Sequence, residues 1–407
     1  MARLKRRLSR LPFITVFLTL LVAVPLVLAA VDAPTGFDNV TNGFESQTNF
    51  DLDRAQFDTV EQIADGLGPV YNAQACRECH QNPVSASSAQ FNELRAGKLN
   101  SDGTFVDHPG GSLISDRAID AAIQEHVFET DTIRTFRTSL NLLGDGFVEA
   151  TPDSEFTRIQ SAQPAGTKGT IVMVPVLEAN SATTRIARFG WKNQHASLLS
   201  FAADAYLNEI GITSPLFPTE NSSNGNSVAA FDTVPDPEDA PTVAHPFGKD
   251  VEAFTRFMRS TKAPPRAPAI TDTETPTAGE VVFDRIGCVT CHTDSITTAP
   301  AGTVFNGGTF TVNAALGSKT YHPYGDFMLH NIKTGDGIVQ AQASGALIRT
   351  APLWGLRTRT RLMHDGESLT IVDAINRHAG QAASSVASFN ALSAADNSSL
   401  FVFLNSL

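Results

Sequence analysis

Two copies of one short motif constrain this chain more than anything else in it: Cys76-Arg77-Glu78-Cys79-His80 and Cys288-Val289-Thr290-Cys291-His292, 212 residues apart. C-x-x-C-H is the attachment signature of a c-type haem. Two thiols add across the two vinyl groups of one porphyrin. Two intervening residues turn the backbone about once, so both sulfurs face the same porphyrin edge. The histidine that follows presents its imidazole to the iron as an axial ligand. Two C-x-x-C pairs would also suit a four-cysteine zinc site or a pair of disulfides. Neither alternative asks for histidine directly after each pair. All 4 cysteines of the chain sit in these motifs, so no disulfide framework is left over.

The 212-residue offset extends beyond the cysteines. Arg137-Thr138 and Arg349-Thr350 keep the same spacing, so 61 residues run from the first cysteine to an Arg-Thr pair in each half. This is an internal repeat, and it predicts two related haem domains. A chain of 407 residues has room for two or three cores. The first haem domain is expected over 31–262, with insertions. A proline-rich linker follows over 263–276, and the second haem domain occupies 277–407. The net charge of −12 argues against a nucleic-acid partner and is compatible with docking a basic electron carrier.

Residues 1–30 carry a targeting pattern. Arg3, Lys5, Arg6, Arg7 and Arg10 precede an apolar run from Leu11 to Leu28, and Ala29-Ala30 offers small residues for cleavage. The alternative is an uncleaved membrane anchor, since the run is nearly long enough to span a bilayer. No cysteine follows it, which excludes a lipoprotein. Covalent haem attachment takes place after export, so signal and haem motifs agree on a periplasmic protein.

The expected fold class is mainly α: two cytochrome c-like haem domains with long loops and a small β-hairpin insertion. Residues 31–58 read as an extended lead-in and 59–67 as a short helix. Gly169 to Leu177 is β-branched and extended, one strand of the hairpin. Helices are expected from Leu198 to about Glu209, from Asp250 to Ser260, from Ser368 to Arg377 with Ser368 as N-cap, and from Ser393 to Leu407. The proline-rich 214–246 reads as loop. Ile371, Ile375 and His378 fall at i, i+4 and i+7, which puts His378 on the apolar face of its helix.

Several segments together carry a family resemblance. They are Gly66-Leu67-Gly68-Pro69 before the first motif, Arg188-Phe189-Gly190-Trp191-Lys192, Asn208 to Thr213, Phe254 to Phe257, Leu329-His330-Asn331, Arg349 to Leu356, and Leu362-Met363-His364-Asp365-Gly366. The chain resembles the di-haem c-type oxidoreductases of the peroxidase type, related to the bacterial di-haem cytochrome c peroxidases and the methylamine dehydrogenase maturation enzyme. The resemblance covers about residues 60–407. It implies His378, fourteen residues after His364, as the second axial ligand of the C-terminal haem. The peroxidases mostly carry methionine there, and histidine should lower the potential. In the first half Trp191 takes the place of His364, and the position fourteen residues on is Ala205, which cannot ligate. The iron of His80 is therefore expected to be open or held by a mobile ligand, with His108 and His126 as candidates. Glu209 resembles the peroxidases' catalytic acid. Trp191 resembles the tryptophan between their haems. Arg349 and His364 are placed to contact haem propionates. The peroxidases also hold a calcium between their domains, so calcium is a further candidate cofactor. No role follows for His330.

The expected function is reduction of hydrogen peroxide at the N-terminal haem. Electrons would come from a small redox protein, a cytochrome or cupredoxin, and pass from the C-terminal haem through Trp191. A haem oxidase of a partner protein or small molecule is one alternative, and a di-haem electron carrier with both irons closed is another.

Overall fold

The computed structural model describes residues 30–179, 182–236, 239–267 and 277–407. Nearly all of the targeting segment and most of the linker, 268–276, lie outside the described residues. Among the described residues no helix is long and apolar enough to cross a membrane.

The first helix, Gln47–Asp58, lies where an extended lead-in was expected. Ser46 caps it by accepting the Asn49 amide, and Phe50, Asp53 and Phe57 form its buried stripe. These isolated phenylalanines in a polar background are one helical face rather than loop anchors. The stripe packs on the helix Lys249–Ser260, with Phe50 and Phe57 rings 5.2 and 5.0 Å from that of Phe257. The helix expected over 59–67 shrinks to a 3-10 turn, Ile63–Asp65, ended by Gly66 at φ 102°.

The helix Leu198–Ala205 starts at the Ser197 cap and widens into a π-helical turn, Tyr206–Ile210. Gly211 ends it at φ 82°. A Cβ there would lie 2.7 Å from the Gly68 Cα, so only glycine lets this turn reach the segment leading into the first Cys-His motif. In the second half, Ala278–Arg285 opens with a capping box between Thr277 and Glu280 and packs on Ala394–Leu404. The helix Ile371–Arg377 is capped by Thr370, not Ser368, and ends one residue before His378.

Helix accounts for 30% and strand for 16%, a mixed composition that corrects the mainly α expectation. Most strands have two or three residues, too short for a period-2 pattern to register. The exception is an antiparallel sheet in which Asn92–Leu99 pairs with Phe105–Asp107, Leu113–Ile114 and Ile133–Thr138. Glu93 stands opposite Arg137 in its register. The expected hairpin is present as Met173–Pro175 against Thr184–Ile186.

The largest apolar core draws on both halves of the chain. Phe50, Phe147 and Phe257 share it with Phe310, Tyr321 and Phe327. At one edge, Val31–Asp32 lies parallel on Lys319–Tyr321, which pairs on its other side with Ile296–Thr297. A smaller core around Phe283, Leu400 and Phe403 backs the second Cys-His motif.

Candidate functional site

Cys76–Cys79 forms a single helical turn, and His80 follows it. The His80 Nδ1 lies 3.1 Å from the Ser87 carbonyl. A carbonyl only accepts, so Nδ1 carries the hydrogen and Nε2 keeps its lone pair. Burial pushes the imidazole down to about 4, which keeps it neutral, the form that binds metal. Both cysteines and His80 line a cavity of about 440 Å³, together with Trp191, Glu93, Arg95 and Glu209.

Glu209 sits on the π-helical turn, and its carbonyl accepts the amides of Asn72 and Ala73 at 2.8 and 3.0 Å. The turn is thereby fixed to the segment carrying the first motif. Its side chain accepts from Asn72 Nδ2 at 2.9 Å and shares the cavity lining with Glu93, the neighbouring carboxyl. Burial, then the Glu93 carboxylate beside it, pushes the Glu209 carboxyl up to about 8. Burial would raise Glu93 as well. Arg95, whose Nε donates to it at 2.7 Å, and Arg137 more than offset that and hold it below the ordinary value. One carboxyl is thus protonated at neutral pH and its neighbour ionised.

The second motif lines a cavity of about 200 Å³. His292 Nδ1 donates to the Tyr324 carbonyl at 2.9 Å, and His378 Nδ1 to the Ala374 carbonyl at 2.7 Å. Both rings therefore present a bare Nε2, and their centroids stand 6.4 Å apart. That spacing would let His292 and His378 hold one metal ion between them. Arg349 and Arg359 line this cavity, each pushed down to about 10 by burial. Arg359 has no carboxylate against it among the described residues, so an anionic group of the cofactor is its natural complement.

Trp191 is the one residue common to both cavity linings among the described residues. Its indole N–H donates to the Thr138 carbonyl at 2.8 Å, and its ring meets that of His364 edge-on at 6.1 Å. The repeated Arg-Thr segments cross over here. The Thr138 amide donates to the His364 carbonyl, and the Arg349 amide to the Trp191 carbonyl. Beneath them lies a buried ion triad. Asp336 accepts from Arg137 Nε at 2.8 Å and pairs with Lys192 Nζ at 2.8 Å.

Neither mobile-ligand candidate lines the first cavity. The two ring nitrogens of His108 are engaged by Asp131 at 2.8 Å and Asn224 at 3.1 Å, and His126 is exposed. Ala205 does line it, and its methyl group cannot ligate. His80 is the sole histidine of that lining among the described residues. Tyr206 also borders the cavity, but its hydroxyl donates to Glu61 at 3.2 Å. The two cysteine pairs line different cavities, so they do not come together as one four-cysteine zinc site. His330 is buried, bonded to Asp326 at 2.8 Å, with Nδ1 3.6 Å from Cys291 Sγ. Sequence reasoning missed Glu93, Arg95, Arg137 and Arg359 as cavity residues. The alternation of Glu93, Leu94, Arg95, Ala96 was the available signal for the first two.

Two cavities, each opened by a Cys-Cys-His triplet and joined by one indole, define a redox protein built for two cofactors. The family model described as "Di-haem oxidoreductase, putative peroxidase" matches residues 112–407, and the chain belongs to that family of haem oxidoreductases. A search of curated proteins finds no match. Among solved structures, the chain is similar to hydrazine synthase of Kuenenia stuttgartiensis, pressurised with xenon, at 12% identity and TM-score 0.38 over 99% of both chains. It is also similar to a MauG-like protein associated with microbial copper homeostasis, at 15% identity and TM-score 0.34 over 95% of this chain and 94% of that one.

Proposed function

We propose that the protein is an exported, periplasmic di-haem c-type oxidoreductase that reduces hydrogen peroxide at its N-terminal haem. Cys76 and Cys79 would hold that haem covalently, with His80 as its axial ligand. Cys288 and Cys291 would hold the other, between His292 and His378, with Arg349, Arg359 and His364 toward its propionates. The haems supply the redox chemistry: electron uptake from a small donor protein, a cytochrome or cupredoxin, on the C-terminal side, and two-electron reduction of peroxide on the other.

The observation that carries this reading is asymmetry. The second cavity has a histidine on each side. Among the described residues the first has one histidine, and neighbouring carboxyl groups in the same lining. Glu209 acts there as the acid–base that moves a proton from the inner to the outer oxygen of peroxide. Trp191 carries electrons between the cavities.

The purified ferric protein should show one high-spin and one low-spin haem, and the high-spin component should respond to peroxide after half-reduction. Two low-spin haems inert to peroxide would make the protein a carrier instead. Replacing His378 by Met should keep the second haem low-spin but raise its reduction potential, because thioether favours ferrous iron. A potentiometric titration that finds the potential unchanged removes His378 from the ligand set.

A further inference from the structure

Glu93 has no counterpart among the residues that the sequence singled out, yet it stands inside the first cavity beside Glu209. It is delivered by a different element, the strand Asn92–Leu99, whereas Glu209 rides the π-helical turn. Strand geometry puts Glu93 and Arg95 on one face, and register puts Arg137 across from Glu93 on that same face. The result is a chain of contacts. Asn72 donates to Glu209, Glu209 neighbours Glu93 in the same lining, and Glu93 accepts from Arg95 at 2.7 Å. Two neighbouring buried carboxyl groups favour holding one proton between them, since ionising both would set like charges side by side.

We propose that Glu93 and Glu209 form one proton-holding pair, with Glu93, clamped by Arg95, as the positioning residue that keeps the catalytic proton on Glu209. This deepens the peroxide reading and rests on it. Reduction of peroxide to two waters takes up two electrons, supplied through the haems, and two protons. At the O–O cleavage the pair gives its proton to the outer oxygen, which leaves as water, and regains one from the inner oxygen. Its own protonation is unchanged over the step. The remaining charged groups around the pair are Arg137 on the sheet, Asp204 at the end of the helix Leu198–Ala205, and Asp107 and Glu125 on the rim. Arg95 also attracts Asp204 and Asp107. The lining outside the pair thus holds both signs, and the closest charge to Glu93 is the Arg95 guanidinium.

The direction of the pH effect follows. The shared proton is lost as pH rises through about 8, so turnover should fall on that alkaline side. In Glu93→Gln the neighbouring charge is gone, and the alkaline limb should move down by about one pH unit or more. The infrared C=O band of the protonated carboxyl should disappear at correspondingly lower pH, a readout independent of turnover. Both are measured on the full-length haem-loaded protein. Pairing is overturned if the limb and the band stay in place in Glu93→Gln while turnover still depends on Glu209, an outcome that leaves the peroxide reading standing. If Glu93→Gln fails to fold, the wild-type infrared titration decides by itself: no carboxyl titrating near neutral-to-alkaline pH, and the pair does not exist.

Discussion

Glu209→Gln should lower peroxide turnover by about 10²–10⁴-fold while both haems stay attached. Glutamine keeps the shape and can still accept from Asn72 at the position where Glu209 does so at 2.9 Å. It has no proton to give to a leaving oxygen. The substitution therefore separates chemistry from architecture. Spectra of the resting protein should be nearly those of the wild type, with the loss confined to kcat. Turnover within a few-fold of wild type would remove Glu209 from the mechanism and leave the peroxide reading to the spectral test. The wild-type carboxyl, pushed up to about 8, predicts that alkaline solution reproduces part of the same loss.

The second large effect is on stability. Asp336→Ala should cost about 3–5 kcal/mol, the usual consequence of removing one partner from a buried ion cluster. Asp336, Arg137 and Lys192 are all buried, and one carboxylate serves both cations. Lys192 keeps the carbonyls of Ser344 and Leu347, and Arg137 keeps Gln340 Oε1, but neither cation retains a counter-charge in contact. The two cations hold the Asp336 carboxyl below its ordinary value against the opposing effect of burial. A depressed carboxylate stabilises above its unfolded value and loses that contribution as pH falls through the folded one. The deficit of the variant should accordingly shrink in acid. Denaturant unfolding at neutral and acidic pH measures both. A variant as stable as wild type at neutral pH would mean that the cluster contributes nothing net. Lys192 adjoins Trp191, and Thr138, which follows Arg137, accepts the indole hydrogen, so the same variant should loosen the inter-cavity junction.

How much of this was readable beforehand depended on the kind of signal. The cysteine–histidine motifs are local chemistry at fixed spacing, and the residues they name do line two separate cavities. Trp191 came from a repeat register, and it stands at the junction of the linings. His378 came from a helical face and a fourteen-residue interval. Its ring does face His292, but from just beyond the helix end, where the chain has already left helical geometry. The helix Gln47–Asp58 was lost because its buried stripe holds just two apolar residues, Phe50 and Phe57, with Asp53 between them. The sheet carrying Glu93 was lost for another reason. Its strands face a polar cavity, so charged residues occupy the face that a sequence pattern assigns to solvent. Arg359 was missed as a cavity residue, and its burial beside the second cavity gives it an electrostatic task.

The apolar interior that joins Phe50 and Phe257 to Phe310 and Phe327 draws on both halves of the chain, and the start of the described chain is stitched to a strand from the far half. A molecule assembled this way has its two halves tied together by one interior among the described residues. It should melt in one cooperative event, and severed halves should not survive as independent folds. The path between its two redox centres is then a constant of the architecture. Control over its reactivity falls to what arrives, such as a proton, an electron or an oxidant, and not to halves that swing apart.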